Sequence, residues 1–230
     1  MAVDDSYTKI LLHCDGSDGS TTITDESGKS WTAGGNAQID TAQSKFGGGS
    51  LLFDGNADYV YTADHADFTL GTNDFTVDFW VRFNSLSYAT LFTIHTDANN
   101  AIVLYCYNGN ELNLQSIAGG SLALNVSKSW SPSTGTWYHV AAIRYGNNWR
   151  LYINGTQLGT DVTDSRSIPD YTGGFAIGYR PANAAGSLNG WIDEFRFSKG
   201  IARWTANFTP PTAAYAPPAA SSFIPRVIMF

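Results

Sequence analysis

Apolar and polar side chains alternate with a period of two in short runs along the chain, and turn-forming pairs separate the runs. In the clearest run Phe75, Val77, Phe79, Val81 and Phe83 alternate with Thr76, Asp78, Trp80 and Arg82, which gives one strand a wholly apolar face. Similar runs predict strands at residues 9–14, 50–53, 59–61, 75–83, 89–95, 102–107, 112–117, 137–145, 149–153, 175–179 and 191–197. Asp15-Gly16, Asp54-Gly55, Asn108-Gly109 and Asn154-Gly155 supply residues that tolerate positive φ between strands. Residues 149–158 read as a hairpin turning at Asn154-Gly155. Helical periodicity is nearly absent and no fixed repeat occurs, so the pattern predicts an all-β sandwich rather than a propeller or solenoid.

The alternation stops after Phe197, and residues 204–222 are rich in Pro and Ala, with Pro210-Pro211 and Pro217-Pro218 favouring an extended path. This predicts a domain over residues 1–204 followed by an arm over 205–230. The arm ends in an apolar run in which Phe223, Ile224, Val227, Ile228, Met229 and Phe230 are candidate subunit contacts. Docking on a neighbouring copy and folding back on the same domain both remain open.

Leu11-Leu12-His13-Cys14-Asp15-Gly16, Asp25-Glu26-Ser27-Gly28, residues 44–50 and Phe53-Asp54-Gly55 resemble the opening of laminin G-like domains of the concanavalin A-like superfamily. Residues 75–81, 137–141, 151–155 and 190–196 resemble its later strands, so the likeness runs from about Leu11 to Pro211. It implies a two-sheet antiparallel jelly-roll sandwich that works by binding or assembly. Residues 201–211 are similar to a form of the domain associated with bacteriophage tail and other virion proteins. That likeness implies a non-enzymatic structural or display protein (capsid decoration, head fibre or tail fibre) made in a host cytoplasm and carried on the virion surface. Its partners would be other virion proteins, a second copy of itself, or host glycans. The competing reading is a stand-alone lectin or carbohydrate-binding module, with or without calcium.

With 230 residues, 14% of them aromatic, 14% charged and 23 glycine, the chain suits one large turn-rich domain. A formal net charge of -7 argues against nucleic acid as a partner, because binding a phosphate backbone needs clustered Lys and Arg. Met1-Ala2-Val3-Asp4-Asp5 has no basic flank leading into an apolar run, so no signal peptide is expected, and no stretch predicts membrane insertion. Cys14 and Cys106 lie in predicted strands and read as buried free thiols.

Hydrolysis on this architecture needs two facing carboxylates. The chain has only three glutamates, Glu26, Glu111 and Glu194, and neighbours in a strand such as Asp193 and Glu194 should point to opposite faces. No catalytic residue is expected, and His139 reads as a structural histidine. Calcium is the cofactor the resemblance raises, with Asp15, Asp25 and Asp193 as candidate oxygen ligands; the alternative is that the first two set turns and Asp193 and Glu194 pair with Arg196 or Arg144. For a sugar, alternation puts Tyr105 and Tyr107 opposite Leu104 and Cys106, and Arg150 and Tyr152 opposite Leu151 and Ile153. These four are the candidate ligand-binding residues; the plainer reading is that they only cover the outside of a sheet.

Overall fold

An apolar strand face can be buried only against another layer, and here that layer is a second sheet. The structure, a computed structural model, describes residues 6–216. Its strands are β1 (Thr8–Leu12), β2 (Thr32–Gly34), β3 (Gln38–Asp40), β4 (Ser50–Asp54), β5 (Tyr59–Thr62), β6 (Phe75–Phe83), β7 (Ala89–Asp97), β8 (Asn100–Tyr107), β9 (Glu111–Ala118), β10 (Ser121–Ser129), β11 (Trp137–Tyr145), β12 (Asn148–Ile153), β13 (Thr156–Gln157), β14 (Val162–Thr163), β15 (Phe175–Ile177) and β16 (Asn189–Lys199). Sheet A runs β13-β12-β11-β6-β16-β4-β3, with β14 also on β12. β1 and β4 share one edge of β16, β4 pairing its first half and β1 its second. Sheet B runs β10-β9-β8-β7-β15-β5-β2. The pairs are antiparallel. This is the jelly-roll sandwich that alternation and resemblance imply.

Four strands lie outside those predicted. β2, β3 and β14 are too short for a period-two pattern to register. β10 spans nine residues but is the edge of sheet B, and only Leu124 and Val126 in it are buried, so its Ser, Asn and Lys content reads as loop. The hairpin turn forms as expected: Asn154 and Gly155 take φ of 49° and 76° between β12 and β13.

The inward rows of the two sheets meet in one aromatic core. Phe175 of β15 lies 5.4–6.2 Å, centroid to centroid, from the rings of Trp31, Phe68, Phe92, Phe195 and Phe197. Phe79 of β6 stacks on Phe195 of β16 at 5.3 Å within sheet A, and Phe195 in turn meets Phe175 of sheet B, so the two sheets are tied through shared rings. Cys14 and Cys106 are buried free thiols, as expected.

The outer face of sheet A is covered too. Ala202, Trp204 and Phe208 pack over Ala141, Ile143 and Tyr152, with the Trp204 and Phe208 rings stacked at 3.9 Å. Phe208 donates its N–H to the Gly155 carbonyl at 2.9 Å, and a Cβ on Gly155 would sit 1.8 Å from the Phe208 oxygen. Glycine is therefore required both by the turn and by the segment lying on it. Residues 205–216 thus run along the domain, and the packing does not divide at residue 204. Phe223, Ile224, Val227, Ile228, Met229 and Phe230 lie outside the described residues.

Truncating Phe175 removes the ring on which five others converge. Phe175→Ala should cost about 3–5 kcal/mol, read as a lowered denaturation midpoint, against under about 1 kcal/mol for Tyr107→Ala on the surface. Equal costs would show that the intersheet packing is not as described.

Candidate functional site

Under residues 201–216, the outer face of sheet A carries a buried polar cluster. Asp78 of β6 receives two bonds from Arg196 of β16, Nε to Oδ1 at 3.0 Å and Nη2 to Oδ2 at 2.9 Å. It also accepts the Tyr215 hydroxyl, and His139 Nε2 stands 3.5 Å from its Oδ2. Burial alone would raise the Asp78 carboxyl, but Arg196 and His139 outweigh it and hold the group well below the usual carboxylate range. The Arg196 guanidinium also lies 3.9 Å from the Tyr215 ring centroid. His139 is fully buried, with the rings of Trp80, Trp204 and Phe208 edge-on around it, which fits its structural reading.

Asp193 and Glu194 depart from the expected arrangement. A bulge between Asp193 and Arg196, with Glu194 at φ 50°, breaks the alternation where β4 gives way to β1. Both carboxyl groups consequently project to the outer face. Asp193 lies across from Trp80, while Glu194 accepts the Tyr215 N–H at 2.7 Å and contacts His13 Nδ1 at 2.9 Å. The bond to Glu194 outweighs burial and raises the His13 pKa. Asp193 accepts the N–H groups of Lys45, Phe46 and Glu194 at 2.6–3.1 Å, yet burial pushes its carboxyl up to about 7. Arg196 answers Asp78, and Arg144 binds the carbonyls of Gly71 and Gly146, so the expected pairings of Asp193 and Glu194 with these arginines are replaced.

The candidate calcium ligands are not brought together. Asp25 accepts from Leu11 N, Ser27 N and Trp31 Nε1. Asp15 accepts from Gly49 N and packs so closely on Gly47 that a Cβ there would lie 2.1 Å from its carboxylate. No group of three or more His, Cys, Asp or Glu side chains among the described residues is placed to hold a metal ion. These aspartates therefore act as fasteners for backbone N–H groups, which is the turn-setting alternative for Asp15 and Asp25.

The four candidate ligand-binding residues separate. Arg150 and Tyr152 do face away from the core, but on sheet A, where Tyr152 is fully buried against Phe208 and Arg150 forms a two-pronged pair with Asp161. Tyr105 and Tyr107 stand on the outer face of sheet B, on the other side of the molecule. There they meet Tyr88, which precedes β7: Tyr88 lies 5.0 Å from Tyr105 and 5.9 Å from Tyr107, edge to face in both cases. Tyr107 is 49% exposed. Cross-strand neighbours on β9 and β10 extend this face with Glu111, Asn113, Gln115, Asn125 and Ser127. Asn113 lies across from Tyr105 and keeps a buried Nδ2 without a hydrogen-bond partner among the described residues. Burial, with Tyr88 and Glu111 nearby, pushes the Tyr105 phenol up to about 12, so it stays a neutral donor across the physiological range. Tyr88 escapes sequence reading because it sits in a connection, where no alternation marks its direction.

No helix among the described residues is long and apolar enough to cross a membrane. A family profile described as the concanavalin A-like lectin/glucanases superfamily matches residues 54–203. No curated protein matches the chain. Among solved structures, the chain is similar to domain 4 of AbnA, a GH43 extracellular arabinanase from Geobacillus stearothermophilus, in complex with arabinotriose. The TM-score is 0.65 at 22% identity, covering 85% of this chain and 94% of that one. It is also similar to the binding domain of Paraclostridial Mosquitocidal Protein 1, with a TM-score of 0.64, 16% identity and 86% of this chain covered. A third similar structure is the binding domain of botulinum neurotoxin DC in complex with rat synaptotagmin II, with a TM-score of 0.65, 15% identity and 87% covered. The chain spans 50% of each of these two toxin chains. At such identities the likeness shows the fold.

Asp78 has a depressed folded-state pKa, so its stabilisation is complete above the unfolded value of about 4 and is lost as the pH falls through it toward the folded value. Asp78→Asn should therefore cost about 3–5 kcal/mol at pH 7, by removing the buried carboxylate that binds Arg196 through two hydrogen bonds, and should flatten the acid limb of the stability–pH curve. An unchanged acid limb in that variant would place the acid-labile group elsewhere.

Proposed function

We propose that this chain, which belongs to the concanavalin A-like lectin/glucanase superfamily, is a carbohydrate-binding module that holds glycans on the outer face of sheet B. The observation that carries this reading is the half-exposed cluster of Tyr88, Tyr105 and Tyr107 beside a carboxylate, amides and hydroxyls. Tyrosine offers an apolar ring for a sugar's C–H face and a hydroxyl for its rim, at a low cost in side-chain entropy. Glu111, Gln115, Asn125 and Ser127 add acceptors and donors on the same surface. The similarity to a domain solved with arabinotriose bound supports the same class of ligand.

Binding without turnover accompanies this reading. Asp78, Asp193 and Glu194 share the outer face of sheet A, but their oxygens are taken up by Arg196, backbone N–H groups, His13 and Tyr215, and Tyr215 lies over Asp78 and Glu194. Display on a virion surface is the competing reading, motivated by the family resemblance, that of residues 201–211 in particular, together with the expectations of no signal peptide and no other domain. Ala202, Trp204 and Phe208 of that segment pack on sheet A, so in this chain their pattern has a structural cause. Immunogold labelling of purified particles would test that location.

Glycan-array screening of the whole chain, followed by calorimetry on the strongest glycan, tests the proposal. Tyr107→Ala and Tyr105→Ala should each weaken binding by roughly tenfold or more while the variants remain folded at the temperature of the measurement, in line with about 1–3 kcal/mol for a sugar-stacking ring. Affinity should be unchanged by EDTA, because Asp15, Asp25 and Asp193 are already engaged by N–H donors. No glycan bound, or tyrosine variants that bind normally, would remove the proposal; loss on chelation would restore a calcium site.

A further inference from the structure

The described residues do not cover the outer face of sheet A along its whole length. Residues 201–216 lie over the rows containing His139, Ala141 and Ile143, and they leave the next row toward the other end partly exposed. That row crosses five strands in register: Gln38 of β3, Leu52 of β4, Trp191 of β16, Arg82 of β6 and Trp137 of β11. All five are partly exposed. Their sequence neighbours Ile39, Leu51, Ile192 and Val81 are in the core, so alternation fixes the row outward.

Two features make this row a site rather than a cover. First, Arg82 lies in register between two tryptophans, its guanidinium 4.9 Å from the Trp191 ring centroid, and no carboxylate among the described residues lies within ion-pair distance of it. In a chain of net charge -7, a guanidinium that lies against the Trp191 ring with no carboxylate partner among the described residues is a charge awaiting a partner. Second, the far end of the row opens into a hollow of about 460 Å³ lined by Thr21, Asn36, Gln38, Leu52 and Asp54. Asp40 accepts Trp191 Nε1 at 2.6 Å, so the indole's polar edge is already used and the part of its face that Arg82 leaves clear is what remains for a ligand.

We propose that the Trp137–Arg82–Trp191 row is a second saccharide site, specific for sugars bearing a carboxylate and lying on the opposite side of the sandwich from the tyrosine cluster. The carboxylate takes the Arg82 fork, a ring stacks on the Trp191 or Trp137 face, and neutral sugar units run toward the polar hollow. Asp54 at that end repels a second carboxylate, which sets the direction of the chain. Strand spacing puts Trp191 and Trp137 about 10 Å apart, on either side of Arg82. The tyrosine cluster has Glu111 in it and faces the other way, so the two surfaces differ in charge preference and act independently.

The test uses the whole chain with 3′-sialyllactose and trigalacturonate, each paired with a neutral counterpart, lactose and the carboxyl-reduced trisaccharide. Calorimetry and tryptophan fluorescence should show at least one acidic sugar binding more tightly than its neutral counterpart, with an affinity that falls as salt rises. Arg82→Gln should weaken that binding about tenfold or more, as for loss of a charge-assisted bond, and Tyr107→Ala should leave it unchanged. Trp137→Ala and Trp191→Ala should also weaken it, but the glutamine variant decides if either fails to fold. Which acidic sugar binds separates sialylated from uronate-rich sources. Neither acidic sugar binding, equal affinity for the neutral partners, or full affinity in Arg82→Gln would each overturn the proposal, whatever the tyrosine cluster does.

Discussion

Phe175 packs against five other aromatic rings drawn from both sheets and from the loops between them, and everything functional in this molecule is placed by that packing. Side chains on a strand alternate, so committing one row to the aromatic core commits the other row to the outside. A slip of one residue in β8 would bury Tyr105 and Tyr107 and expose Leu104 and Cys106. The same constraint on β6 and β16 turns Arg82 and Trp191 outward against Val81 and Ile192. Surface chemistry on both faces is thus a consequence of core register.

Outward rows still need water or a cover, and the two sheets meet that need differently. Sheet A places Asp78, His139, Asp193 and Arg196 at its centre, all buried, and this is tolerable because the carboxylates are engaged, Asp193 by the N–H groups of Lys45 and Phe46, while residues 201–216 close over Asp78, His139 and Arg196. The bulge at Glu194 is part of this arrangement, since it turns a second carboxylate toward Tyr215 N and anchors the covering segment. Sheet B instead leaves its β8–β10 end open, where Tyr107, Glu111, Asn125 and Ser127 meet solvent. Both proposed sites lie where the described residues leave a sheet face partly exposed.

Much of this was legible in the sequence because it follows from local alternation. The long strands other than β10, the Asn154-Gly155 turn, the buried thiols and the outward direction of Tyr105, Tyr107, Arg150 and Tyr152 all depend on a residue and its close neighbours. What could not be read depends on contacts distant in sequence. Arg150 and Tyr152 point outward as expected, yet Phe208 and Asp161 cover them, and nothing in the strand announces that. Asp193 and Glu194 obey alternation until a bulge, and Asp25 looks like a metal ligand until Leu11 N and Trp31 Nε1 are seen to occupy it. The Trp137–Arg82–Trp191 row needs the register of three strands, though each member taken alone shows its direction by alternation.

The central claim is that the tyrosine cluster on sheet B is a recognition surface while the covered centre of sheet A is not. Backbone amide chemical shifts, followed by NMR while the best array-positive neutral glycan is titrated in, test it most directly. The account predicts shifts confined to residues around Tyr88, Tyr105, Tyr107, Glu111, Asn113 and Gln115. Shifts centred on Asp78, His139 and residues 201–216 would contradict it.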